Sequence, residues 1–174
     1  METLKGAHIY LRALEPEDIH FLYAIENDEH LWELSSTQIP YSRYILEQYL
    51  ENSHRDLYEV KQLRLVISNY QHKAIGLIDL FDFDFQNSHA GVGILIREPG
   101  DRRQGFGKEA LQLLVNYSFN HLNLHQLYCN ITEGNQASMN LFTNQGFEVV
   151  GVKKDWLFSN KVYKNEYLLQ LINK

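Results

Sequence analysis

The sequence predicts an α+β fold with a mixed, mainly antiparallel central sheet flanked by helices. Three observations carry this expectation. Residues 64–96 hold alternating or apolar runs separated by short polar turns, the pattern of an antiparallel meander. Across residues 90–145 the order becomes strand–helix–strand–helix. Two further runs, 148–156 and 163–171, flank Ser159, Asn160 and Lys161 and read as a closing hairpin. Strands and helices grouped in this way give an α+β fold rather than a doubly wound one.

Each element follows from local chemistry. Residues 8–12 alternate and read as a strand. Pro16, Glu17 and Asp18 open a helix, because proline suits the first turn and acids there oppose the helix dipole favourably. Ile19, Leu22, Tyr23 and Ile25 form its apolar face. Residues 41–54 predict a second helix, with Ser42 as N-cap and Ile45, Leu46, Tyr49 and Leu50 inward. Strands are expected over 64–68, 74–85 and 90–96, with turns at 69–73 and 86–89. A polar loop at 97–104 leads to a strong helix over 106–121, built on Ala110, Leu111, Leu114, Val115, Tyr117 and Phe119. A strand at 126–132 and a helix at 135–145 follow, the helix stopped by Gly146. No linker, repeat or low-complexity tract interrupts the chain, so one domain is expected over residues 1–174.

Composition narrows the function classes. At 174 residues the chain is long enough for a sizeable core. The net charge of −6 argues against a non-specific nucleic-acid partner and favours a cationic or amine one. Cys129 is the only cysteine, which excludes an internal disulfide and a cysteine-built zinc site within one chain. Residues 1–6 do not resemble a signal peptide, and no run approaches the roughly 18 apolar residues of a membrane span. Cytoplasmic location, no membrane partner and no metal are therefore expected, and self-association is left open.

The chemistry concentrates in residues 94–108. The apolar Ile94-Leu95-Ile96 ends in a loop that carries Arg97, Gly100, Arg102, Arg103, Gln104 and Gly105, and opens directly into a helix through Phe106, Gly107 and Lys108. Glycines allow close backbone approach to a ligand, and a helix N-terminus offers partial positive charge. With Arg102, Arg103 and Lys108 added, this is a phosphate cradle in an otherwise acidic chain. A Walker loop fails, because Phe106 and Gly107 stand where Lys and Ser/Thr are needed. Gly105-Phe106-Gly107-Lys108-Glu109-Ala110 matches the Gly-x-Gly-x-x-Ala of dinucleotide folds, but a long polar loop precedes it instead of a strand.

The run Arg102-x-x-Gly105-x-Gly107 resembles the pyrophosphate-binding signature of the GCN5-related N-acetyltransferase (GNAT) family. The stretch from Asn135 through Ser138 and Phe142 to Gly146-Phe147 resembles that family's second signature, in the family's order and separation. Leu11-Arg12-Ala13-Leu14 resembles the opening strand of its ribosomal-protein and spermidine branch, so the resemblance covers nearly the whole chain. It implies acetyl-coenzyme A as cosubstrate and transfer of its acetyl group to an amine. By resemblance, backbone groups of Ile94, Leu95 and Ile96 meet the pantetheine arm and polarise the acetyl carbonyl. Those of Arg103, Gln104, Gly105, Phe106, Gly107 and Lys108 hold the pyrophosphate beside Arg102, and Asn135 approaches the pantetheine. A fixed backbone donor at the carbonyl would stabilise the oxyanion that attack creates.

The family pattern breaks in two places. Many relatives carry a proton-donating Tyr seven residues after the Asn, and here that position is Phe142, expected to pack on coenzyme or core. Ser138 is the nearest matched hydroxyl, with solvent or another group as the alternative donor. Relatives often carry a Glu on the strand read at 90–96, but Ala90-Gly91-Val92-Gly93 has no carboxylate. Alternation over 79–85 places Asp82 and Asp84 on one face and Asp79 on the other, and these acids are expected to bind a cation or relay its proton. Glu33 and His30, in the loop after the first helix, are lesser candidates. His121 and His125 lack the Glu of a zinc helix and read as a helix end and the start of the next strand. Small amines and polyamines lead as acceptors, although residues 35–40 lack the acids expected of a spermidine enzyme. A protein N-terminus is the rival acceptor, and a coenzyme-binding module without turnover the rival function.

Overall fold

The computed structural model describes residues 2–35, 37–53 and 57–174. Its strands are β1 (Ile9–Ala13), β2 (Leu63–Asn69), β3 (Ala74–Asp84), β4 (His89–Ile96), β5 (Gln126–Thr132), β6 (Glu148–Ser159) and β7 (Val162–Ile172). They form one seven-stranded sheet in the order β1-β2-β3-β4-β5-β7-β6. Every neighbouring pair is antiparallel except β4 and β5, which run parallel, so the sheet is mixed and mainly antiparallel as the sequence predicts.

The helices are α1 (Ile19–Glu26), α2 (Glu29–Ser35), α3 (Arg43–Glu51), α4 (Leu57–Val60), α5 (Phe106–Asn120) and α6 (Gln136–Thr143). They divide between the two sheet faces according to strand alternation. On one face α5 buries Ala110, Leu111 and Leu114 against Ile78, Leu80, Val92 and Leu127. On the other, α1 and α3 bury Leu22, Ile25, Leu46 and Leu50 against Val66 and Leu77. Each such aliphatic side chain contributes about 1.5–3 kcal/mol when fully buried.

Several boundaries differ from the sequence reading. The helix expected from Pro16 begins as a 3-10 turn, Pro16–Asp18, before α1. The helix expected over 41–54 is α3, capped by Ser42 Oγ accepting from Ile45 N at 3.2 Å. Its last expected residue, at 54, lies outside the described residues. Ile45 is not inward but 48% exposed. The α2 and α4 helices are too short to carry an apolar stripe; Leu31 is the buried anchor of α2, and none of α4 is buried. Among the described residues, no helix is long and apolar enough to cross a membrane.

One ion pair fixes the path from β1 into α1. The Arg12 guanidinium donates to both carboxylate oxygens of Asp18, at 2.7 and 2.8 Å, and to Ser68 Oγ on β2 at 3.1 Å. Glu15 N also donates to Asp18, at 2.9 Å. Burial pushes the Asp18 carboxyl up, but the bonds from Arg12 and Glu15 outweigh it and hold the group below its ordinary range. A lowered pKa means stability that is present above the unfolded value near 4 and lost as pH falls through the folded value. Asp18→Asn is expected to destabilise the protein by about 2–4 kcal/mol at pH 7. In urea melts the gap to wild type should shrink below about pH 4. A gap under about 0.5 kcal/mol at pH 7, or one independent of pH, would contradict this anchor.

Candidate active site

β4 and β5 pair only at His89↔Gln126, Ala90↔Leu127 and Gly91↔Tyr128. Beyond Gly91 they part, and residues Val92–Ile96 keep β3 on one side but have no strand on the other. Apart from the Ile96 carbonyl, which accepts from Arg102, their outward backbone groups are therefore available to a ligand, since each residue carries one donor and one acceptor that secondary structure would otherwise satisfy. Phe81 lies across β4 at Gly91, where a Cβ would sit 2.3 Å from its ring. That contact leaves no room for a carboxylate at Gly91.

Two openings meet at the parting. A cleft of about 90 Å³ lies between Val92–Ile94 and the β5 residues Cys129–Thr132, closed by Asn135, Ser138 and Phe142. A larger cavity of about 560 Å³ lies on the α1–α3 side and shares Val92, Gly93, Ile94, Asn130 and Thr132 with the cleft. Its volume is in the range of small-molecule sites.

The Arg/Gly loop leads from the end of β4 to α5. Arg102 folds back to donate to the carbonyls of Ile96 at 3.1 Å and Arg97 at 3.0 Å, so its side chain shapes the loop. Gln104 donates to Gly100 O at 3.2 Å. Arg103 and Gly105 both take positive φ, at 61° and 85°. Gly105 is the N-cap of α5, and a Cβ there would meet nothing within 4 Å, so the space before the helix is open. The first helical bond is Glu109 N to Gly105 O at 3.0 Å, which leaves the N–H groups of Phe106, Gly107 and Lys108 without intrahelical acceptors. Gly107 sits beside Leu141 and Ile94, where the helix approaches α6 and β4. Free amides, a positive helix end and exposed Arg103 and Lys108 fit a diphosphate. The open β4 edge beside them fits an extended amide-bearing arm, so the residues present suit coenzyme A.

Of the three acids that the strand pattern offers, one reaches the cavity. Asp82 sits at a bulge with φ 49°, which turns it outward and reverses the phase of β3, so that Phe83 joins the core with Leu80. Asp84 caps the following turn through Asn87 N and Nδ2, both at 2.8 Å. Those bonds hold its carboxyl below the ordinary range. Neither residue is among those lining the cavity, so the expectation of all three acids at the acceptor is corrected to Asp79 alone, which lines it. Asp79 Oδ1 accepts from Arg64 Nε at 2.7 Å, and Glu26 Oε1 accepts from the same guanidinium at 2.8 Å. Tyr49 stacks on Arg64, with the guanidinium carbon 5.5 Å from the ring centroid. Burial pushes the Asp79 carboxyl up, against the pull of Arg64.

Glu33 and Glu166 also line the cavity. Glu33 lies in α2, not in a loop, and pairs with Lys164; Glu166 accepts from Lys153 Nζ at 2.6 Å. His30 is exposed and away from the cavity. Sequence reasoning missed Glu26, Arg64, Tyr49 as a site residue, and Glu166. Glu26 carried a signal: it stands four after Leu22 and seven after Ile19, on the apolar stripe of α1.

In the cleft, Asn135 is the N-cap of α6, its Oδ1 accepting from Ser138 N at 3.1 Å. The Phe142 ring is buried and meets Phe147 edge-on at 5.0 Å, so it packs in the core and closes the cleft. Cys129 is buried at the cleft wall, and burial pushes its thiol up to about 12. His121 ends α5 stacked on Tyr117 at 4.9 Å, and His125 begins the approach to β5 through its N–H to Ser88 O at 2.7 Å. Among the described residues, no group of three or more His, Cys, Asp or Glu is placed to hold a metal.

Residues 8–148 match the family model of the acetyltransferase (GNAT) domain. Over 168 residues the chain is 28% identical to spermidine N(1)-acetyltransferase of Vibrio cholerae, covering 95% of both chains. It is 26% identical to the Escherichia coli K12 spermidine N(1)-acetyltransferase over 163 residues, covering 93% of this chain and 85% of that one. The crystal structure of the Vibrio cholerae enzyme in complex with CoA and spermine superposes with a TM-score of 0.87 at 25% identity, covering 96% of each chain. A dodecameric structure of that enzyme in an intermediate state superposes with a TM-score of 0.78 at 26% identity, covering 96% of this chain and 95% of that one. The parted strands, the open start of α5 and the family match agree: the chain belongs to the GNAT family of acetyl-coenzyme-A-dependent N-acetyltransferases.

Proposed function

We propose that the chain acetylates a polyamine or another small amine, which binds in the 560 Å³ cavity and meets the coenzyme at the parting of β4 and β5. The observation that carries this reading is the cavity's acid lining: Glu26, Glu33, Asp79 and Glu166 converge on a space that opens onto Gly93 and Ile94. Four carboxylates around one cavity suit a cationic acceptor. The spermidine activity of the relatives supports the same reading. When bound, acetyl-coenzyme A supplies the thioester electrophile. The proposed coenzyme contacts are the backbone of Ile94, Leu95 and Ile96 and the N–H groups of Arg103 to Lys108. Asn135 and Phe142 form the floor of the cleft, and Arg102 braces the loop.

Holding both reactants in adjoining openings removes much of the entropic barrier. The acceptor ammonium must lose a proton before it attacks. Asp79 is the carboxylate best suited to orient it, because burial raises its basicity and Arg64 fixes its direction. The hairpin of β6 and β7 contributes Leu157 and Glu166 to the cavity, which supports a single functional unit over the whole chain although the family match ends at 148. Trp156, Phe158 and Tyr163 on that hairpin are 60–66% exposed, a surface that supports self-association.

The test is thiol release from acetyl-coenzyme A against a panel of polyamines, monoamines and short peptides. Saturable release with polyamines or small amines is expected. Release only with peptides would favour a protein N-terminus, and coenzyme binding with no amine-dependent release would contradict catalysis.

Ser138 is the proposed proton donor to the departing thiolate, since Phe142 has no proton to give and its ring is packed in the core. Ser138→Ala is expected to lower kcat about a hundredfold, whereas Phe142→Tyr should stay within about tenfold of wild type. Full kcat for Ser138→Ala across the pH range would remove Ser138 from that role.

A further inference from the structure

We propose that Glu33 is a second ammonium position of the acceptor cavity, and that Lys164 occupies it when no substrate is bound. The inference rests on the amine-acetylating reading and names the kind of amine it serves: a di- or polyamine whose second cation lies an alkyl chain away from the reacting one.

All four cavity carboxylates already hold a cation from the protein, but only one of these carboxylates is open enough to water to exchange its cation at little cost. Glu26 and Asp79 share the guanidinium of Arg64, whose side chain is 22% exposed and braced by Tyr49. Glu166 is 12% exposed, and its Lys153 is held further by Asn130 Oδ1 at 3.1 Å and the Trp156 ring at 5.1 Å. Withdrawing either cation would leave a carboxylate unpaired in a largely dry wall, which is strongly unfavourable. Glu33 differs. Its side chain is 39% exposed at the cavity rim, and Lys164 reaches it from β7 on the opposite wall. Ser159, at the end of β6, stands near the same carboxylate and helps Lys164 to hold it below its ordinary range. An ion pair this open to water is weak and exchanges readily.

The group that Lys164 presents is a primary ammonium on a four-carbon chain, the same chemistry as the end of an aliphatic polyamine. Lys164 therefore shows what the Glu33 position accepts. The wall beside it carries Leu34, Leu157 and Phe81, apolar surface for the methylenes between two cations. With one amine at Gly93 and Ile94 and the other on Glu33, a polyamine would span the cavity from its reacting end to its rim. A monoamine would gain nothing from Glu33 and would leave the Lys164 pair in place.

The experiment compares KM for spermidine with KM for butylamine in wild type, Lys164→Gln, Lys164→Arg and Glu33→Gln. Removing the competing lysine in Lys164→Gln should lower the ratio of spermidine to butylamine KM about three- to fivefold. Glu33→Gln should raise that ratio by a similar factor, and Lys164→Arg, which keeps the charge, should leave it near wild type. The KM for acetyl-coenzyme A and the melting temperature report whether each variant is folded. Turnover of both amines with a ratio unmoved by Lys164→Gln and Glu33→Gln would overturn the second ammonium position alone. A Lys164→Gln ratio that rises would overturn it too, because the lysine would then assist binding. No release with either amine in wild type would contradict the amine-acetylating reading itself, and this position with it.

Discussion

The site depends on the parting of β4 from β5. Parallel pairing holds for three residue pairs and then stops, which leaves the far half of β4 with unsatisfied backbone groups in the middle of the sheet. Buried backbone donors and acceptors without partners are costly, so such an edge persists only where a ligand or solvent completes it. The surrounding structure holds the edge open. On one face α5 anchors Ala110, Leu111 and Leu114 under the sheet. On the other, α1 and α3 pack on Val66 and Leu77. Phe81 lies across Gly91, the last paired residue of β4, and α6 places Ser138 and Phe142 at the cleft. The Arg/Gly loop follows directly from β4 and the large cavity lies beside it, so one interruption in the ladder would bring both reactants of the proposed reaction together.

The electrostatics of the cavity follow a second constraint. Carboxylates that face a partly dry space need cations, and here Arg64, Lys153 and Lys164 supply them. The lining is therefore acidic in composition but nearly neutral in pairing. On the proposed reading, a cationic acceptor would be recognised through exchange and through the directions in which Arg64 holds Asp79 and Glu26, and less through bulk negative potential. The overall charge of −6 contributes a weak attraction that salt would screen.

Much of this was legible in the sequence. Long periodic elements such as α5 and β5 stand out because their apolar stripes are dictated by the core, and the Arg/Gly loop stands out because close approach to phosphate demands glycine. The acceptor side was not legible in the same way. Asp82 and Asp84 follow a strict alternation on paper, but a single residue at φ 49° shifts the phase, and nothing in the types of 79–85 marks that bulge. Glu166 lies 82 residues beyond the end of β3, and its place in the cavity depends on β7 pairing with β5 rather than on local pattern. Arg102 shows the reverse case: its residue type marks the loop correctly, but its guanidinium braces carbonyls instead of standing free.

The proposed coenzyme site is the open edge of β4 together with the free amides at the start of α5. Backbone hydrogen exchange, resolved by residue and measured with and without acetyl-coenzyme A, tests this. Saturating ligand at a hundredfold excess over its dissociation constant stabilises the whole fold by about 2.7 kcal/mol, so the informative quantity is protection beyond that uniform gain. The account predicts such added protection at residues 92–96 and 103–108, with residues 63–69 of β2 gaining only the uniform amount. Binding that leaves 92–96 and 103–108 no better protected than β2 would contradict it.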